Sequence, residues 1–459
     1  MTRRTEVGNF LFIFIFIFVL AIRANSRWGN ALGHLVFVEC TRTSIQALEL
    51  ARAAGHRVSL ITDHRFDKLL FGPRELLRLR AFAADTIEVA DTQRADEVEL
   101  GLRTAMQRAP VDSVLSTLHL CVVATAEAAE RLGLRATSHA GVMNAHDKAR
   151  CREALAAHGV ASVRFAVVES AARARSEAQR IGFPLIAKPT TGSGKVLARI
   201  VANLDELEAH LADAEQQIQA LRSCREEVTF RFNLEEIAVG PMFSVEVATS
   251  AQGEWAALVF LRRKRARHNP VLEMGSTIPC GFSEAQFGEA ERYMRQVTDA
   301  LGLDFGMFHA EFVWTAQGPR LIEVNPRIAG GSIPDLVRAA TGANLFETLV
   351  RVHAGERLGL GRLTCRGASS HTYIAAREDS RVRSDLAPDW FDAFRPRLLE
   401  GYSDIAAGQL LRRMDGNSDT YGVMRVQAAT PTAAAEQAEA LRRDAQAALG
   451  VALVEVEEA

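Results

Sequence analysis

Glu311, Glu323, Asn325 and Arg327 are the residues whose types and spacing suggest chemistry. Residues 311–314 and 320–325 have the pattern of two strands joined by a turn at 315–319. Side chains alternate along a strand, so Glu323 and Asn325 share one face. A register set by the turn can bring Glu311 to the same patch. Two carboxylates and a carboxamide on rigid strands make an all-oxygen site of the kind Mg²⁺ shares with phosphate oxygens. Arg327 can clamp a phosphate or a carboxylate with its planar fork. The rival reading is an amphipathic hairpin with solvated acids, but the apolar neighbours argue for burial, which is costly for unpaired carboxylates.

Other segments add candidate contacts. The run Phe183-Pro184-Leu185-Ile186-Ala187-Lys188-Pro189 reads as a strand ending in Lys188, followed by Thr190-Thr191-Gly192-Ser193-Gly194-Lys195. Backbone amides of such a loop can approach phosphate oxygens because glycine has no Cβ in the way. It is not a Walker A loop: Pro189 stands where the first glycine belongs, and Val196 replaces the Mg²⁺-binding Ser or Thr. A plain hairpin turn is the alternative. Glu235 and Glu236, before an apolar crossing, suit adenine and its ribose, or are solvated turn acids. The basic run Arg262-Arg263-Lys264-Arg265-Ala266-Arg267-His268 suggests a mobile loop over phosphates, or a solvated loop. Residues 329–334 open a helix whose N-terminus can hold an anion.

These residues need a scaffold. The globular chain is expected to open at Gly33, with a buried strand at 34–38, an amphipathic helix at 45–54 and a strand at 57–62. That beginning implies an open, helix-covered parallel sheet, continued by strands at 86–89 and 111–116. A glycine-rich dinucleotide fingerprint is absent after the first strand. Glu39, Asp63 and His119 fall near strand ends and read as ordinary strand-end polarity. From Asn144 the pattern changes: Asn144-Ala145-His146-Asp147 can cap a helix at 148–158. Strands at 162–168, 185–188, 196–201 and 242–249 follow, with helices at 171–181, from 203 into the 220s, and at 284–301. Beyond residue 360, strands at 371–374 and 421–426 and a helix at 432–449 read as a lid or companion unit.

Composition narrows the class. The 459 residues allow roughly three domains. A net charge of −2 gives no electrostatic case for nucleic acid or an anionic membrane. The six cysteines lack Cys-x-x-Cys spacing, which fits a reducing compartment and small core residues. Arg3 and Arg4 precede an apolar run at 10–22, short for a bilayer. Three readings stand: an extension outside the fold, a signal peptide, or an anchor.

Taken in order, Lys148, the 183–189 run, the glycine loop, Glu235-Glu236, Glu311 and Glu323-Val324-Asn325-Pro326-Arg327 resemble the ATP-grasp superfamily of carboxylate–amine ligases. The chain is most similar to the branch containing L-amino-acid ligases and carnosine synthases. The resemblance implies an α/β N-terminal domain at 33–143, an ATP-grasp domain at 144–360 with a small subdomain near 163–240, and an α+β C-terminal subdomain at 361–459. Residues 1–32 would lie outside the fold. By the same resemblance Lys148, Lys188, Thr191, Gly192, Ser193, Gly194, Glu235, Glu236 and Ala238 would bind ATP. Glu311, Glu323 and Asn325 would hold two Mg²⁺, with Mn²⁺ as a substitute. Arg327 and Glu273 would face the acyl substrate and its amine. The acid that often follows the adenine hinge to hold ribose is replaced by Met242, leaving Glu246 as the candidate. The implied reaction phosphorylates a small-molecule carboxylate and passes the acyl group to an amine, in the cytoplasm. It needs no nucleic acid or membrane, and a homodimer is compatible with it. Bicarbonate activation by an ATP-grasp carboxylase, or nucleotide binding without turnover, are the alternatives.

Overall fold

The computed structural model describes residues 32–191, 197–222, 230–417 and 419–457. The apolar extension at 1–31 and the loop residues Gly192, Ser193 and Gly194 lie outside the described residues.

The first layer is a parallel sheet of β1 (His34–Val38), β2 (Arg57–Thr62), β3 (Thr86–Glu88) and β4 (Ser113–Leu115), in the order β3-β2-β1-β4. All five β1 residues are buried, as expected when helices cover both faces of a parallel sheet. Helices Ile45–Ala53, Ala95–Arg108 and Val122–Arg131 supply that cover. Glu39 and Asp63 form a closed polar knot: Glu39 accepts from Thr62, Thr92 and the Asp63 amide. That matches their reading as strand-end polarity.

Two helices, His139–His146 and Lys148–Ala157, lead onward. Asn144 lies inside the first rather than capping the second. The cap is Asp147, whose carboxylate accepts from the Ala149 and Arg150 amides at 2.8 and 3.1 Å. A small antiparallel sheet follows, made of β5 (Phe165–Val168), β6 (Leu185–Pro189), β7 (Arg199–Val201) and β8 (Phe232–Glu236), ordered β5-β8-β6-β7. Helices Ala171–Ile181 and Leu204–Arg222 cover one side of it.

The large sheet contains β9 (Met242–Thr249), β10 (Trp255–Ala266), β11 (Asn269–Ile278), β12 (Gly306–Thr315), β13 (Gly318–Asn325), β14 (Ala368–Tyr373), β16 (Glu400–Ser403) and β18 (Gly422–Ala428). Its order is β13-β12-β9-β10-β11-β14-β18-β16. The short β15 (Ser380–Arg381) and β17 (Leu410–Leu411) pair with each other. The C-terminal strands continue the sheet that carries Glu311 and Glu323, since β14 pairs with β11. They also build a core of their own around Trp390, Phe391, Phe394 and helix Pro431–Leu449.

The basic run is not a mobile loop. Residues 262–266 are the end of β10, paired with β11, and only Arg267 and His268 form the turn. The apolar stretch Trp255–Leu261 runs straight into the basic residues, so one long strand buries its first part in the core and brings its charged end to a cavity. Among the described residues no helix is long and apolar enough to cross a membrane.

Candidate active site

A cavity of about 500 Å³ separates the small sheet from the large one. Lys148, Lys188, Thr191, Glu235, Glu236, Ala238, Glu273, Glu311, Glu323, Asn325 and Arg327 all line it. Of the described residues expected from the resemblance to contact a ligand, Glu246 alone does not line this space.

The carboxylate patch depends on an irregularity that the sequence does not announce. The β12–β13 turn is tighter than expected, with Thr315 opposite Gly318 and only Ala316 and Gln317 between. Counting back from that turn, a regular ladder would pair Glu311 with Ile322 and send Glu323 to the opposite face. A bulge intervenes: Phe312 pairs with Leu321, but Glu311 pairs with Glu323 and His309 with Asn325. Leu321 and Val324 consequently both point into the aromatic core with Phe308 and Phe312. Glu311, Glu323, His309 and Asn325 share the cavity face.

This donor set fits a divalent cation only in company. Among the described residues no group of three or more His, Cys, Asp and Glu side chains is placed to hold a metal alone. Two facing carboxylates and one carboxamide leave most of an octahedral shell to phosphate oxygens and water, the usual arrangement for Mg²⁺ in nucleotide enzymes.

Arg263 of the basic run, and His309 and Arg152, which sequence reasoning does not single out, surround the patch. His309 places Nδ1 2.5 Å from Glu246 and Nε2 3.4 Å from Glu311. Burial disfavours its cation, but the two carboxylates more than offset that and raise the pKa to about 9. Arg263, buried, pairs with Glu273 and lies 3.7 Å from Glu311. Arg152 forms a two-pronged pair with Glu235 at 3.0 Å on each arm and donates to the Ile322 carbonyl at 2.9 Å. The signals were there to be read: His309 is two residues from Glu311 on a strand, and Arg152 is one helical turn beyond Lys148.

Two expectations need correction. Glu246 is fully buried beneath the cavity and is committed to His309 and the Ala329 amide at 3.0 Å, so it cannot reach a ribose. His119 is not idle strand-end polarity, because it lines the cavity beside His146.

Glu235 also differs from the adenine acceptor suggested by resemblance. Its oxygens receive Arg152, Lys188 at 2.8 Å and Asn233 at 3.3 Å. Burial pushes its carboxyl up, yet Arg152 and Lys188 outweigh this and hold it down at about 2. The geometry commits Glu235 to Arg152 and Lys188. Glu236, at the cavity wall, accepts from the Arg164 amide and guanidinium. Arg327 is half-buried, with Nη1 2.8 Å from the Ile328 carbonyl and Nη2 3.4 Å from Asn325. Its Nε finds no partner among the described residues.

Comparison with known proteins agrees with this geometry. Residues 181–335 match the ATP-grasp domain model, and the chain carries an ATP-grasp domain. It is 25% identical to alanine–anticapsin ligase from Bacillus amyloliquefaciens over 53% of this chain and 54% of that protein. It is 28% identical to carnosine synthase 1 from Gallus gallus over 58% of this chain and 29% of that protein. The chain thus spans about half or less of the length of these relatives. The structure of an L-amino acid ligase from Bacillus licheniformis superposes with a TM-score of 0.70, covering 93% of this chain and 99% of that one at 17% identity. That likeness establishes the ATP-grasp fold: an N-terminal parallel sheet followed by antiparallel sheets that clasp the cavity.

Proposed function

We propose that this protein is an ATP-dependent ligase that activates the carboxylate of a small molecule, an amino acid by preference, as an acyl phosphate and joins it to an amine. ADP and phosphate are the other products. The observation that carries this reading is the facing of Glu311 and Glu323 beside Arg327, in the same cavity as Lys148 and Lys188.

A carboxylate is a poor electrophile, so an amide bond requires prior activation. Lys148 and Lys188 would neutralise the triphosphate, with Lys188 held in place by Glu235. Glu311, Glu323 and Asn325 would hold Mg²⁺, which when bound draws charge from the phosphate undergoing transfer. Arg327 would fix the carboxylate against that phosphate, its fork preorganised by Ile328 and Asn325. Glu273, paired with Arg263 on the neighbouring strand, would receive the ammonium of the incoming amine.

The direct test supplies ATP, Mg²⁺ and pairs of amino acids, and measures phosphate release together with product masses. Condensed product appearing with phosphate is the expected result. Phosphate release that depends on bicarbonate rather than on the amine would make the protein a carboxylase, and no release with any partner would make it a binding module.

Two substitutions test the acid site. Arg327→Lys keeps the charge and loses the fork, so KM for the acid should rise at least about tenfold while KM for ATP changes little. Equal losses would place Arg327 on the nucleotide. The small residues after it leave room for a substrate side chain. Gly331 is at φ +60°, where a larger residue is strained, and its Cβ would come 3.4 Å from the Tyr373 hydroxyl. Gly330 has no such constraint and nothing within 4 Å of an added Cβ. Gly330→Trp should therefore narrow the accepted acids to small ones, and an unchanged size profile would place the acid pocket elsewhere.

A further inference from the structure

His119 and His146 come from different parts of the fold and meet at the cavity wall. His119 opens the short 3₁₀ turn His119–Cys121 after the parallel sheet, and His146 ends helix His139–His146. Their rings stack with centroids 4.6 Å apart and planes 27° apart. Both nitrogens of His119 and Nδ1 of His146 are buried without a hydrogen-bond partner among the described residues. A structural pair normally satisfies such atoms, since each buried unpaired polar group costs free energy. Here all three belong to side chains that line the cavity, beside Lys148 and Arg327.

We propose that the His119–His146 pair is the specificity subsite for the side chain of the acid substrate, and that it takes an uncharged group with both a donor and an acceptor, such as a carboxamide. The subsite presupposes the ligase reading. Arg327 is the group assigned to the carboxylate, and its charge is felt at His119; the adenine hinge at Glu236 to Ala238 belongs to another wall of the cavity.

The chemistry of the corner excludes the other side-chain classes. Burial, with His146, Arg327 and Lys148 adding to it, holds His119 down to about 3 against the opposing charge of Glu323. Burial and Lys148 hold His146 at about 4. The pair is therefore neutral and gives a substrate carboxylate no counter-charge of its own, while Lys148 and Arg327 are assigned to the triphosphate and to the reacting carboxylate. A substrate cation would be opposed by Lys148 and Arg327. An apolar side chain would leave all three nitrogens unpaired. A carboxamide can pair with one nitrogen of each ring, because it carries a donor and an acceptor and each neutral imidazole offers one of each.

The test compares kcat/KM for glutamine, methionine and glutamate as the acid, with ATP and one fixed amine. The wild-type protein should prefer glutamine to methionine. His119→Phe preserves the stacked ring and removes both nitrogens, so the glutamine-to-methionine ratio should fall at least about tenfold. His119→Asn, which restores a donor and an acceptor, should recover part of it. His146→Phe carries the same ratio test should His119→Phe not fold. An unchanged ratio, a wild-type preference for methionine or glutamate, or a shift seen only when the amine is varied would overturn the assignment. Should no substrate pair release phosphate, the ligase reading fails separately. Calorimetric titration of the three amino acids in the presence of ADP then decides: glutamine weakened selectively by His119→Phe supports the subsite, and equal binding removes it.

Discussion

Glu323→Gln should yield a folded protein whose ATP-dependent phosphate release is down at least about a hundredfold, the scale of one lost electrostatic stabiliser at a reacting centre. The substitution keeps size and shape, so packing is not at issue. What changes is charge: Glu323 stands directly opposite Glu311, and the pair supplies both formal negative charges of the proposed Mg²⁺ site. Raising Mg²⁺ should recover part of the loss, because a weaker site refills at higher concentration. Asn325→Ala should cost less, since a neutral ligand leaves the charge of the site unaltered. Phosphate release near the wild-type rate in a folded Glu323→Gln protein would remove the metal assignment, and the activation chemistry built on it.

The largest effect on stability should come from Glu235→Leu. Glu235 is buried between Arg152 and Lys188, and Arg152 is 1% exposed. Removing the carboxylate leaves two cations with no counter-charge in the interior, a change that costs about 3–5 kcal/mol. Glu236→Gln, which breaks the exposed pair with Arg164, is the control and should cost about 0–1 kcal/mol. Denaturant titration of both proteins reads the difference. The same group sets an acid limit. Its carboxyl titrates at about 2 in the folded protein against an ordinary 4.5, so its contribution is complete above about 4.5. It is lost as pH falls toward 2. The wild-type protein should therefore lose its stability advantage over Glu235→Leu across that window, and an advantage unchanged down to pH 2 would show that Glu235 is not held as its neighbours imply.

Much of the site was legible because its residues sit on regular elements. Alternation put Glu323 and Asn325 on one face, and continuous apolar runs announced buried strands such as His34–Val38. Helix boundaries at Ala171–Ile181 and Glu284–Leu301 followed from capping residues and glycine stops. The Lys188 strand and the Glu235-Glu236 strand end were likewise local features. In each case the determining interactions lie within a few residues of one another along the chain.

Tertiary structure decided what depends on partners distant in sequence. By sequence alone the basic run reads as a loop, because charge density suggests solvent. It is a strand because β11 pairs with it and because Glu273, Glu311 and Ser370 receive its charges. The bulge before Leu321 exists because Leu321 and Val324 must both enter the aromatic core, a demand set by Phe308 and Phe312 across the ladder. Resemblance leaves Glu246 as the candidate for a ribose, but burial beneath His309 commits it to holding that histidine from below. The sequence by itself determined which side chains could do chemistry and on which strands they stand, since period and residue type are local. The three-dimensional fold decided which oxygens remain available, because that depends on which cation from another element reaches them first.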